Sequence, residues 1–399
     1  MNTTTEIRLG GRTSVSVGVV LLSVAALTLA AACGEPLETE AQESLAQQEA
    51  PMTLLSGCTT GNCSDPNNTF GIYAATNMGY CITLGSFRFC PEHFVTFSRG
   101  EVYLRGRKVA STGAWPSSPE YLSLKVQGSF LRTTTPLQVD SITTDAAGGL
   151  VVEVISGGTL RTLSGSSLQN LQLTVTWDTT PIHLRFGSIT AEAQGDKVFW
   201  TYNVTYQIPS VSDAWRFTCS DGSGAAAFLK NRVVHGLTAG MQTVWGDVPV
   251  VTMACVSGAI GGCMAWGYRP WEASAATQQE ADHLFGTCLQ AKRAAYFVQS
   301  GDYKSYTVLG TPLSIVDVKG IMSTSGMPGV EALWTPNGAT CFSPEYRRAA
   351  VGTSTLPPLP GTLSVPACTP DVHAAAVAGT LQSEGLINAT TPLATGPAS

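Results

Sequence analysis

Three runs between residues 171 and 208 alternate apolar and polar side chains one for one, a pattern no helix can bury. Leu171, Leu173, Val175 and Trp177 are separated by Gln172, Thr174 and Thr176. Ile182, Leu184 and Phe186 flank His183 and Arg185, and Trp200, Tyr202, Val204, Tyr206 and Ile208 flank Thr201, Asn203, Thr205 and Gln207. A period of two sends the apolar set to one face of a strand and the polar set to the other. The segment therefore reads as half-buried antiparallel sheet, with His183 and Arg185 on the solvent face rather than in a catalytic role. Shorter candidates of the same kind lie at 102–104, 121–126 and 150–155. Gly148 with Gly149, Gly157 with Gly158, and Gly195 with Asp196 supply turns between strands. Leu163, Leu168 and Leu173 recur every five residues, but three rungs are too few for a pentapeptide coil, so a meander is expected.

Such a chain must be held together, and the cysteines show how. There are eleven. Cys33 closes an apolar run at 17–32 that carries no charge and follows Arg8 and Arg12, the layout of an export signal. Ala30, Ala31 and Ala32 before Cys33 resemble a lipobox, in which the cysteine becomes the acylated first residue of a bacterial lipoprotein. Leu29 sits one place further upstream than that pattern prefers, and the alternative is a secretory signal cleaved nearby. Gly34 after the cysteine resembles the outer-membrane sorting class. If Cys33 carries lipid, Cys58, Cys63, Cys81, Cys90, Cys219, Cys255, Cys263, Cys288, Cys341 and Cys368 remain, an even set suited to disulfides in an oxidising compartment. Spacing alone does not pair them. No CxxC pair exists and the five histidines are scattered, so no metal and no cofactor is expected. Only 13% of residues are charged and the net charge is -6, which excludes a nucleic-acid surface.

Residues 255–271 read CVSGAIGGCMAWGYRPW, with two cysteines and the aromatics Trp266, Tyr268 and Trp271. Gly258, Gly261 and Gly262 suggest a glycine-rich loop, the rigid centre of a folded module, with Arg269 paired to Glu272. Trp266, Tyr268, Arg269 and Trp271 are also residue types found at binding hot spots, and form the candidate interaction loop. After it, Thr277 and Glu280 have the spacing of a capping box, and Leu284, Phe285, Cys288 and Leu289 share one helical face. Cys288 should point inward and staple that helix to the sheet. Thr369, Pro370 and Asp371 predict a second helix running to about Gly385, before a frayed tail of a dozen residues.

The second half carries Trp215-Arg216-Phe217-Thr218-Cys219, Ala254-Cys255, Ser257-Gly258-Ala259-Ile260-Gly261 and Gly267-Tyr268-Arg269-Pro270-Trp271. Further on come Gly301-Asp302, Ser305-Tyr306-Thr307, and Glu331-Ala332 with Trp334 and Cys341. In their order and spacing these pieces resemble the ADYC domain, an uncharacterised bacterial family common in predicted myxobacterial lipoproteins. The tetrad that names the family stands here as Ala294-Ala295-Tyr296-Phe297, without its acid and its thiol. The resemblance implies no activity. If the missing thiol forms a disulfide in relatives, its partner here is lost or re-paired.

The expected fold is α+β and β-rich, with antiparallel strands through the first half and middle and a disulfide-stapled C-terminal domain with one or two helices. The expected divisions are a signal at 1–33, a flexible acidic tether at 34–55 and a β-rich disulfide region at 56–165. An ADYC-like domain at 166–368 and a helix with tail at 369–399 follow. The expected function is a lipid-anchored extracytoplasmic protein of the outer membrane or cell surface (alternatively secreted), acting as a non-catalytic binding or structural module. Its expected partners are the membrane, through the lipid, and a protein or glycan. Two alternatives stand beside it: a hydrolase of envelope or prey polymers using paired carboxylates among Asp302, Asp317 and Glu331, and a secreted inhibitor presenting residues 267–271.

Overall fold

In the computed structural model the described residues run from 82 to 389, apart from 111–119, 131–135, 195–196, 220–224, 235–240, 244–247, 275–276, 303, 307–313, 318, 323–328, 348–355 and 379–385. The signal, Cys33, the tether, Cys58, Cys63, Cys81 and the turn at 195–196 lie outside them.

The strands in chain order are β1 (Ile82–Leu84), β2 (Phe87–Ser98), β3 (Glu101–Ala110), β4 (Glu120–Phe130), β5 (Gln138–Thr144), β6 (Leu150–Ser156) and β7 (Thr159–Ser164). They continue with β8 (Leu171–Trp177), β9 (Thr180–Gln194), β10 (Lys197–Ile208), β11 (Ser212–Phe217), β12 (Ala225–Lys230), β13 (Arg232–Val234), β14 (Met241–Thr243) and β15 (Val250–Cys255). Eight of these close on themselves as β2-β3-β4-β8-β9-β10-β12-β15 and back to β2, every pair antiparallel. The closure abolishes the open edges that would otherwise invite aggregation. Bulges between Pro91 and His93 in β2, and between Tyr202 and Val204 in β10, give the curvature that closure needs. An eight-stranded barrel leaves an interior that side chains fill, and here Phe89, Phe94, Leu104, Val126, Leu173, Leu184, Phe186, Val204, Phe228 and Met253 fill it.

The sheet of β5, β6 and β7 is inserted between β4 and β8. Its Val139, Ile142, Val152 and Val154 join the barrel core, and β5 reaches five barrel strands. The expected boundary at 165/166 therefore falls inside one barrel: β4 lies before it, β8 after it, and the two pair from Val126 opposite Val175 to Phe130 opposite Leu171.

β15 is buried along its whole length. Val251, Met253 and Cys255 face the barrel interior, while Ala254 faces a second core outside the wall. That second core joins Phe199, Ala227 and Leu229 of the outer wall to helix α1 (Ala259–Ala265) and helix α2 (Gln278–Arg293). Strands β16 (Ser314–Asp317), β17 (Ala332–Thr335) and β18 (Gly338–Phe342), helix α3 (Pro370–Val377) and strand β19 (Leu386–Ala389) complete the chain. The last four strands form a sheet in the order β16-β19-β17-β18.

Several local expectations change. The glycine-rich stretch is not a loop: after Gly258 it becomes α1. Gly261 is required there by close approach, since a Cβ would lie 2.2 Å from the Cys255 carbonyl oxygen. Cys288 is fully buried but staples helix to helix, bonding Cys263 of α1 instead of the sheet. Cys219 bonds Cys255, and Cys341 bonds Cys368. Cys90 is disulfide-bonded too. Thr277 is the N-cap of α2, yet no capping box forms, because its hydroxyl lies 3.0 Å from that of Ser274. The helix opened by Pro370 ends at Val377, and the tail expected from residue 388 overlaps a strand, β19.

Candidate functional site

A cleft of about 740 Å³ opens where the barrel wall meets the helical layer. Gln194 and Lys197, on either side of the β9–β10 turn, form one side. Ala265 and Trp266 at the end of α1, with Gly267, Tyr268, Arg269 and Glu272, form the floor. The first turns of α2 contribute Glu280, Ala281 and Leu284, and the chain after β16 contributes Lys319, Ile321 and Met322. The 255–271 stretch thus supplies five of the residues that line this cleft, Ala265, Trp266, Gly267, Tyr268 and Arg269.

Polar contacts between distant parts of the chain hold this lining together. Arg269 is buried, so its guanidinium needs partners. It donates to the Val198 carbonyl at 3.1 Å, to Glu272 at 3.3 Å and to the Gln194 side chain, and lies 5.6 Å from the Phe199 ring centre. Glu272 also pairs with Lys197, and Gln194 donates to the Ala265 carbonyl at 3.0 Å. Across the cleft Lys319 pairs with Glu280 at 2.6 Å. The fully buried Tyr268 donates its hydroxyl to Asp317 at 2.9 Å. Burial, then the adjoining carboxylate, push that phenol far above its ordinary pKa, so it stays a neutral donor. Asp317 in turn accepts the backbone N–H groups of Lys319 at 2.8 Å and Met322 at 2.6 Å, which shapes the chain bearing Ile321.

Trp266 is half-buried, and the ammonium of Lys292 sits 4.0 Å from its ring centre. Lys292 reaches it by crossing Gly262, where a Cβ would lie 2.1 Å from its Cε. Burial lowers the Lys292 pKa to about 8. Trp271 is also half-buried, packed against the second core, and its ring fills the space beside Gly148 in the β5–β6 turn. Of the candidate interaction residues, then, Trp266 offers surface to the cleft, while Tyr268 and Arg269 are interior.

The three acids weighed for catalysis each accept a tyrosine hydroxyl. Asp302 accepts the Tyr306 hydroxyl at 2.6 Å, Asp317 that of Tyr268, and buried Glu331 that of Tyr296. Each anchors a tyrosine, and none lines the cleft. Glu272 and Glu280 line it instead, each bound to a cation. Gln194, Lys197, Lys319 and Ile321 carry no signal of a site in the sequence, and Glu280 stands out there only as a helix-capping residue. No spacing could have found them, since they come from distant parts of the chain. No group of His, Cys, Asp and Glu able to hold a metal occurs among the described residues.

The degenerate tetrad sits in the second core. Ala294 ends α2 in the left-handed conformation at φ 49°. Tyr296 stacks on Phe342 with ring centres 4.0 Å apart and on Trp334 at 5.0 Å. Ala295 and Phe297 are both buried, and Phe297 packs in the second core.

No curated protein and no solved structure matches the chain. A family model does match, over residues 165–348, from just before β8 to the turn after β18. Cys341 lies inside that segment and its partner Cys368 outside it. The matching model is that of the ADYC domain, which residues 165–348 therefore resemble.

Proposed function

We propose that this chain is an exported, lipid-anchored module of the outer membrane or cell surface that binds a ligand in the cleft beside Trp266 and performs no chemistry on it. One observation carries the binding reading. The cleft is roomy, within the roughly 300–1,000 Å³ of small-ligand sites, yet the charges of its lining are paired with one another. Lys197 and Arg269 share Glu272, and Lys319 holds Glu280. A general acid or base must be free to move a proton, and both cleft carboxylates are held by cations. The disulfides support an oxidising compartment, and the signal with its lipobox-like end supports the anchor.

Labelling with a tagged palmitate tests the anchor: the wild type should take the label and Cys33→Ala should not. Equal labelling of both would refute lipidation at Cys33, and a freely secreted wild type would favour the plain signal. A second reading is favoured by the presence of two carboxylates, Glu272 and Glu280, in one cleft. It makes the protein a polymer hydrolase. Release of reducing ends by the wild type, lost in both Glu272→Gln and Glu280→Gln, would establish that reading and end the non-catalytic one.

A further inference from the structure

Resting on the reading of the cleft as a binding site, we infer that its ligand is an uncharged glycan segment seated against the exposed part of Trp266. Each charge named on the cleft wall is already matched. Arg269 is tied to Glu272, Gln194 and a backbone carbonyl; Lys197 is tied to Glu272, and Lys319 to Glu280. A charged ligand that engaged Arg269 would have to break its buried bonds to Glu272 and Gln194, which costs more than it returns, whereas Lys319 with Glu280 is an exposed pair, 45% and 41% accessible, that adds little either way.

The same pairs suit hydroxyl groups. A carboxylate engaged by one cation keeps further lone pairs, and an ammonium engaged by one acid keeps further N–H donors. Glu280 and Lys319, each engaged once, thus present acceptors and donors to the cleft, while both oxygens of Glu272 are already used by Lys197 and Arg269. A polyhydroxylated ligand can use them without disturbing any charge.

The apolar part of the wall points the same way. Lys292 covers part of the Trp266 ring and does not line the cleft, so the surface that Trp266 gives the cleft is its remaining part. Ile321, 40% exposed, and Met322 stand on the side shaped by Asp317. A sugar ring has a C–H face for an indole and an edge of hydroxyls for the charged groups, and so matches both halves of this lining. An aliphatic peptide or acyl chain would match only the apolar half. It would desolvate the ion pairs without replacing their water.

Titrate the full-length chain in detergent with chitotetraose, cellotetraose and maltotetraose in turn, reading tryptophan fluorescence and melting temperature. Inorganic phosphate and a short aliphatic peptide serve as the other arms. At least one neutral tetrasaccharide should bind saturably, and the preferred one identifies the source of the glycan. Trp266→Leu should weaken that binding at least about tenfold, the effect of removing an aromatic anchor. Because that variant touches Lys292, Ile321→Arg provides a check at an exposed position: it should block binding with the melting temperature unchanged. Saturable binding of phosphate or peptide, lost in Ile321→Arg, with no sugar bound, would overturn the glycan and leave the cleft a site. Sugar binding unchanged in both variants would also overturn the inference, because the site would then lie elsewhere. No binding by any probe would overturn the glycan and count against the cleft itself.

Discussion

Replacing Gly148 by alanine should destabilise the protein through a contact between the barrel and the cleft-bearing layer. Gly148 lies in the β5–β6 turn at φ +81°, and a Cβ there would stand 2.7 Å from Cζ2 of Trp271 and 3.1 Å from Cε2. Two costs follow. Holding an L-residue in the left-handed region costs about 1–2 kcal/mol, and forcing a methyl into a rigid ring costs about 1–3 kcal/mol. The single variant should therefore lose about 2–5 kcal/mol. Trp271→Ala removes a half-buried indole and should lose about 2–3 kcal/mol, below the range for fully buried aromatics. In that background the overlap vanishes and only the backbone cost of alanine remains. The double variant should thus be more stable than additivity predicts by about 1–3 kcal/mol, a coupling expected of residues in contact. Equilibrium urea unfolding of the four proteins with disulfides intact measures it. Additivity within about 0.5 kcal/mol would show that Gly148 and Trp271 do not meet, and the placement of the turn against Trp271 would be wrong.

Two further outcomes follow from the helical layer. Lys292 has its pKa lowered to about 8, against 10.5 ordinarily, so the unfolded chain binds its proton more tightly. The cost of burying the charge is full below about pH 8 and is relieved as pH rises from there through 10.5. Lys292→Met should therefore be more stable than the wild type at pH 7, by about 1–3 kcal/mol for a half-buried amine. That gap should close by pH 10.5, and a gap that widened instead would refute the burial argument. Removing the disulfide of Cys263 with Cys288 as a double alanine variant opens a link of sequence separation 25. It should cost about 3–4 kcal/mol on the chain-entropy account, read as a lower urea midpoint, and an unchanged midpoint would refute that account.

The parts of this fold legible in the sequence are those where one face is wet. β8, β9 and β10 alternate cleanly because their outer faces reach solvent along much of their length. β15 escaped notice because its Val250, Val251, Thr252, Met253, Ala254 and Cys255 are all buried, half inside the barrel and half outside. A strand buried on both faces carries no period, and this is the strand that closes the barrel against β2. The bulge at Pro91 breaks the alternation of β2 in the same way. The 255–271 stretch was legible as core, since Cys255, Cys263 and Tyr268 are almost wholly buried and Arg269 does pair with Glu272. Its helix was not, because glycines chosen for close packing look like glycines chosen for a turn. The cleft was illegible for another reason. Lys197, Glu280 and Lys319 meet only through the fold, and each looks alone like any solvated charge.

The most direct test of this account is to express residues 165–348 by themselves. That segment carries the whole ADYC match but lacks β2, β3 and β4, leaving β8 and β15 as open edges. Leu171, Leu173 and Val175 would lose the β4 wall they pack beside. The account predicts that the isolated segment shows no cooperative thermal transition, while residues 82–389 melt in one. A cooperative melt of 165–348 at the temperature of the longer chain would contradict it, and would make the family segment a domain that folds without the barrel.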